Sequence, residues 1–260
     1  MQFIEGKTNE HRRKNNLLTA REDFLPLFLL FLLVIVFLHK GIFPLYGTQA
    51  LSSQSTDTKS YFFPILTFGY DSLSNGILPL WNPYIYSGAP YVATLQTAVF
   101  YPLNWLYLIL PINTAINFSI ALHLFLSGMF TYYLLKYYGV GRFGALIAGI
   151  VYTFAAPHIL HIYAGHLVLI AAITWTPLML LFLDRLVRGD DRKYGIFLSL
   201  TIALQLLAGY PQDLFYSMIM LSFYLLLLLI GLKSEGEKWG SLLLKGTIFV
   251  IAVILGIAIS

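Results

Sequence analysis

Asp57 has the neighbours that best suit a residue doing chemistry. It lies in S-T-D-T-K-S-Y-F-F-P, residues 55–64, with Lys59 two positions on and an apolar, proline-containing stretch behind it. A carboxylate so placed can act as a general base, or as a metal ligand, that activates a hydroxyl acceptor. An Asp ahead of a helical run can equally be an N-cap that accepts backbone N–H bonds. Both readings stay open on the local sequence. Asp71, in G-Y-D-S-L, reads as an ordinary loop carboxylate.

His158, His161 and His166 form a second group. The i, i+3 spacing of the first pair puts both on one helix face, as a metal site would require. No carboxylate stands near them in the sequence, so they read as interfacial histidines holding polar contacts. The segment G-Y-P-Q-D, residues 209–213, is a turn by its Gly and Pro and presents Gln212 and Asp213. With no cysteine, the chain has no disulfide, thiolate metal site or cysteine nucleophile. It also lacks a Gly-rich phosphate loop ending in Lys-Ser/Thr, an H-E-x-x-H and a G-x-S-x-G.

The elements that must position these residues are membrane helices. Hydrophobic residues make up 58% of the 260 and charged residues 11%, with a mean hydropathy of +0.75. A soluble domain carries roughly 25% charged residues. Apolar runs near the ~20 residues that a bilayer core demands begin at about Phe24, Thr114, Phe143, Leu167, Tyr194, Leu214 and Ser241. The expected fold is therefore an all-α polytopic membrane protein of about seven spans. Short polar connectors separate most of them, at residues 136–142, 161–166, 185–193, 209–213 and 233–238. The first run has basic residues ahead of it, as a signal peptide does. It has no small-residue cleavage site, and further spans follow, so it reads as a retained span.

Charge sets the orientation. With residues 1–23 as a cytoplasmic tail, all of the 16 Lys and Arg except Lys40 and Lys59 fall in cytoplasmic segments or at adjoining helix ends. That is the positive-inside pattern, and the pI of about 9.1 follows from topology without any nucleic-acid partner. Of the 12 Asp and Glu, only Asp57, Asp71 and Asp213 are external; the rest read as solvated or paired surface charge beside Lys and Arg.

The membrane domain, residues 24–260, holds one long connector, the external loop 46–112, rich in Trp, Tyr, Pro, Asn and Gly. Its apolar stretch 98–112, interrupted by Pro102 and Asn104, suits an interfacial or re-entrant helix. Tyr and Trp favour the headgroup level, and long ordered loops tend to carry function. Lys40 and Lys59 can bind the phosphate of a lipid docked on the outer face, or else serve for snorkelling and solvation. The spans show essentially no ionisable residue at mid-depth, which counts against transport. The chain stops at Ser260 inside an apolar run, which reads as truncation of a longer protein.

The loop also carries a resemblance. N-G-I-L-P-L-W-N-P-Y-I-Y-S-G-A-P at residues 75–90 and L-Q-T-A-V-F-Y-P-L at 95–103 resemble the YfhO-like family of bacterial membrane proteins. G-H-L at 165–167, W-T-P-L at 175–178 and G-Y-P-Q at 209–212 follow in the family's order, although the family usually has His where this chain has Tyr210. The family looks like a branch of the GT-C glycosyltransferases, polytopic enzymes that use polyprenyl-phosphate-linked sugars on the extracytoplasmic side. The resemblance implies a GT-C-like fold and a sugar donor of that kind. It also implies an envelope polymer or lipid as acceptor, and Asp57 as the catalytic acidic residue of the first external loop. Many relatives carry paired acidic residues there. Asp57 has no acidic neighbour, so the motif gives a divalent metal no support. Lys40 and Lys59 would steady the leaving phosphate, and Trp81, Asn82, His166 and Gln212 would line the site. The alternative is a non-enzymatic membrane protein, either a transporter or a scaffold of an envelope complex.

Overall fold

The structure, a computed structural model, describes residues 20–43, 51, 56–189 and 191–260. Lys40 and Asp57 fall within it, while residues 1–19 of the N-terminal tail and residues 44–50 and 52–55 of the loop region lie outside the described residues. Among the described residues the regular structure is helical except for one two-stranded ribbon, Trp81–Asn82 against Ala89–Pro90.

The helices are α1 (Ala20–Phe37), α2 (Phe63–Ser74), α3 (Ile112–Tyr137), α4 (Arg142–Thr153) and α5 (Ala156–Ala164). They continue as α6 (Leu167–Ile173), α7 (Thr176–Arg188), α8 (Lys193–Leu207), α9 (Pro211–Ser234) and α10 (Trp239–Ala258). Two apolar runs break in the middle. Pro157 and Pro177 stand in the first turns of α5 and α7. Proline supplies no N–H and pushes the preceding residue out of helical geometry, so it starts a helix more readily than it continues one.

Five stretches are long and apolar enough to cross a membrane: α3, α4–α5, α6–α7, α9 and α10. The protein is a multi-pass membrane protein. The runs expected from Phe24 and Tyr194 are helical too. However, α1 begins with Arg21, Glu22 and Asp23, and α8 has only 15 residues, about 22 Å of rise against a core of about 30 Å. Along α9, Phe215, Ile219, Phe223, Leu226 and Ile230 form an outward stripe, each more than half exposed. Water would not tolerate such a stripe, but acyl chains would. Inside, Tyr101, Trp175, Met179, Leu183, Leu198, Ile202 and Leu221 form one core and Val34, Leu66, Tyr107, Ile116, Ile120 and Leu124 a second. The α3–α4 crossing is close enough that a Cβ on Gly149 would lie 2.8 Å from the Gly128 carbonyl oxygen, a small-residue contact of the kind membrane helices use.

Two ends of the bundle differ in chemistry. At one, Asp23 of α1 accepts hydrogen bonds from Lys136 Nζ at 2.6 Å and Tyr132 Oη at 2.7 Å. Arg142 pairs with Glu22 beside it. Asp184 of α7 accepts from Tyr137 at 2.9 Å and from Tyr224, with Arg188 Nε at 3.5 Å. Asp23 and Asp184 are only 1% and 0% exposed. They are buried clasps between helices, which corrects the reading of their charges as surface groups. The cause is the tyrosine and lysine hydrogen bonds, which offset the desolvation that burial imposes.

The other end carries the loop. A π-helical turn, Thr58–Phe62, leads into α2, whose Ile65 packs with Tyr91 and Val99 of the loop. Tyr91 donates to the Ile65 carbonyl at 3.0 Å and fills the space over Gly69. The stretch expected to be an interfacial or re-entrant helix contains a 3-10 helix, Pro102–Leu108, with Asn104 and Tyr107 turned inward and Trp105 and Leu108 outward.

Candidate functional site

Three segments of the loop are received by three features of the spans. The first is the turn between α5 and α6. Gly165 has φ +87°, a conformation that suits glycine, and its N–H and that of His166 both donate to the His161 carbonyl at 2.9 Å. This reversal brings the rings of His161 and His166 together, with Nδ1 to Nδ1 at 2.9 Å. The loop settles on the same turn: Thr58 Oγ1 donates to the Gly165 carbonyl at 3.3 Å, and a Cβ at Gly165 would lie 2.5 Å from the Thr58 nitrogen. Asp57 is thereby placed beside His166, with Oδ2 3.3 Å from Nε2.

The second receiving feature is the turn between α8 and α9. Gly209 has φ +90°, and a Cβ there would lie 2.6 Å from the Leu95 carbonyl oxygen. The third is a buried polar knot. Tyr101 lies at 0% exposure, receives the Trp175 indole N–H at 3.0 Å, and bonds His123 Nε2 at 2.8 Å. His123 Nδ1 donates to the Ser119 carbonyl at 2.7 Å. That bond fixes the tautomer, so Nε2 accepts and the Tyr101 hydroxyl donates. A cavity of about 20 Å³, lined partly by Gln96, Asn104, Tyr107 and Ser119, lies alongside, room for about one water molecule.

The candidate site proper is the exposed patch around Asp57. The Asp57 side chain is 56% exposed and that of His166 41%. Asp57 stands where an N-cap would, but its side chain makes no capping bond, so its carboxylate is turned to His166 rather than to the helix. Tyr61 follows four residues on in the same π-helical turn and is half-buried. Burial first, and then the neighbouring Tyr86 phenol, hold the Tyr61 hydroxyl above the usual phenol range. Tyr86 itself is 89% exposed. Its φ of 50° and the 61° of Ser87 lie in the left-handed region, at a strain of about 1–3 kcal/mol each. All four non-glycine residues with positive φ among the described residues, Tyr86, Ser87, Leu95 and Ala98, lie in this loop.

The other expected site residues sort differently. Lys59 is exposed two positions from Asp57, and Lys40 is exposed on a short helical turn, His39–Ile42, at the end of α1. Trp81 packs its ring against Gly88 and stays 56% exposed. Asn82 is buried, and its Oδ1 accepts the Tyr84 N–H at 2.9 Å, which gives it a turn-building role. Gln212 is held between the Tyr210 and Tyr216 hydroxyls at 3.1 and 2.7 Å. The i, i+3 pair of His158 and His161 does not act as a pair, because His158 is buried against the Tyr152 ring while His161 turns to His166. Among the described residues no group of three or more His, Asp or Glu is arranged to hold a metal ion.

His123 contradicts the expectation of essentially no ionisable residue at mid-depth in the spans. It lies well inside α3 and is 1% exposed. The signal was present in A-L-H-L-F, residues 121–125, where a histidine interrupts an apolar run. No family model, curated protein or solved structure matches this chain.

Proposed function

We propose that the protein is a membrane glycosyltransferase of GT-C type, with seven spans and a cytoplasmic N-terminus. It transfers a sugar from a polyprenyl-phosphate donor to a cell-envelope acceptor on the extracytoplasmic side. The observation that supports this most is the exposed Asp57–His166 pair at the loop end of the bundle, free of any capping duty. Asp57 takes the proton of the acceptor hydroxyl as that oxygen attacks the anomeric carbon. The bond from that carbon to the phosphate oxygen breaks, and the polyprenyl phosphate leaves with the electron pair. Lys59 offers a point charge to the departing phosphate, where electrostatic stabilisation contributes most. Tyr61 and Tyr86 offer ring faces and hydroxyls to a pyranose.

A transporter is the second reading, favoured by the buried His123, since an ionisable residue inside a span marks a pathway in many membrane proteins. Against it, both ring nitrogens of His123 are already committed to Ser119 and Tyr101. The purified protein in liposomes, given a radiolabelled polyprenyl-phosphate sugar and envelope acceptors, separates the two. Label appearing in the acceptor supports transfer. Solute flux that depends on His123, with no label transferred, supports transport.

A further inference from the structure

The imidazoles of His161 and His166 meet nitrogen to nitrogen, Nδ1 to Nδ1 at 2.9 Å, with ring centres 5.1 Å apart. In such a contact one nitrogen must carry a hydrogen and the other must be bare. The far side of His166 indicates which. Its Nε2 faces Asp57 Oδ2 at 3.3 Å, an ion-pair distance, and a carboxylate opposite favours the hydrogen on Nε2. In neutral His166, Nδ1 is then bare and accepts, and His161 Nδ1 is the donor. The polarity runs in one direction: His161 donates to His166, whose Nε2–H faces the Asp57 carboxylate.

We propose that His161 and His166 are positioning residues for Asp57. His161, by donating to Nδ1, reinforces the Nε2–H tautomer of His166 that faces Oδ2 of Asp57, leaving Oδ1 to receive a proton. This rests on the reading of Asp57 as the acceptor-activating base. Gly165 makes the arrangement possible, because its left-handed turn is what returns His166 to within reach of His161. The division of labour is base, orienter and orienter of the orienter, built from the turn between two spans.

Paired substitutions test it. His161→Phe keeps a ring but removes the donor. His161→Asn supplies an amide N–H near the position of Nδ1. The full chain labelled with ¹⁵N-histidine, in lipid bilayers, gives the imidazole tautomers by solid-state NMR, with His166 assigned by its loss in His166→Gln. We expect a single Nε2–H tautomer for His166 in the unsubstituted protein and in His161→Asn, and a tautomer mixture in His161→Phe. Sugar transfer should follow, with kcat lowered ~10–100-fold in His161→Phe, the scale for losing an outer partner of a functional side chain, and largely kept in His161→Asn. An Nδ1–H tautomer for His166, or equal loss of transfer in both variants, overturns the proposal. The tautomer pattern without any transfer by the unsubstituted protein overturns the role of Asp57 as base and leaves the directed His161–His166 contact standing.

Discussion

His166 Nε2 lies 3.3 Å from Asp57 Oδ2, although one residue belongs to the turn between two spans and the other to the long loop between α1 and α3. The contact depends on a backbone neighbour. Thr58 sits on Gly165 so closely that any side chain at Gly165 would meet it. Loop and turn are therefore placed as one unit.

Gly165→Ala should separate them. The new methyl would lie 2.5 Å from the Thr58 nitrogen, in a backbone conformation of φ +87° that alanine rarely adopts. We expect loss of protection of the Asp57 segment, read by hydrogen exchange at residues 56–62, with α2 and the Tyr91 contact retained. Unchanged exchange there would show that Thr58 does not depend on this turn.

The resemblance-bearing motifs were legible as strings, but their pairing was not. F-Y-P and W-T-P meet through the Tyr101 and Trp175 side chains, G-H-L meets the Asp57 segment, and G-Y-P-Q meets L-Q-T-A through Gly209. Helical runs could be read because lipid demands long apolar stretches, whatever they pack against. Contacts between a loop and distant turns depend on tertiary geometry, which no local period records. The buried state of Asp23 and Asp184 was hidden for the same reason, since their tyrosine partners lie on other helices.

The polar knot gives a stability prediction. Tyr101→Phe leaves both the Trp175 indole N–H and His123 Nε2 without their shared partner in a buried site. Each unsatisfied group costs about 1–3 kcal/mol. Thermal unfolding in detergent should show a clearly lowered midpoint, whereas Phe100→Leu, at an exposed neighbour, should leave it nearly unchanged.

At the opposite end, Asp23→Asn leaves Lys136 charged beside an amide that cannot neutralise it. Removing one partner of a buried pair costs about 3–5 kcal/mol. The variant should unfold more readily, yet transfer per folded molecule should be unchanged, because the Asp57 patch lies at the other end of the bundle. Equal loss of specific activity would tie the two ends together.

Orientation can be tested by thiol labelling on a chain that has no native cysteine. Ser60→Cys should react with an impermeant reagent in intact cells. Glu235→Cys should react only after permeabilisation. The reverse pattern would invert the topology.

Asp57→Asn is the most direct test of the proposed chemistry. The amide is nearly isosteric and keeps a hydrogen-bond acceptor for His166, so folding and insertion should be preserved. It cannot take up a proton, and loss of a positioned base typically lowers the rate by about 10²–10⁴-fold. The matched control is Asp71→Asn, an exposed carboxylate on α2 of the same loop. Measured with a polyprenyl-phosphate sugar and envelope acceptor, transfer should fall by that factor in Asp57→Asn and stay near normal in Asp71→Asn. Near-normal transfer by Asp57→Asn would contradict the assignment and remove Asp57 from the mechanism.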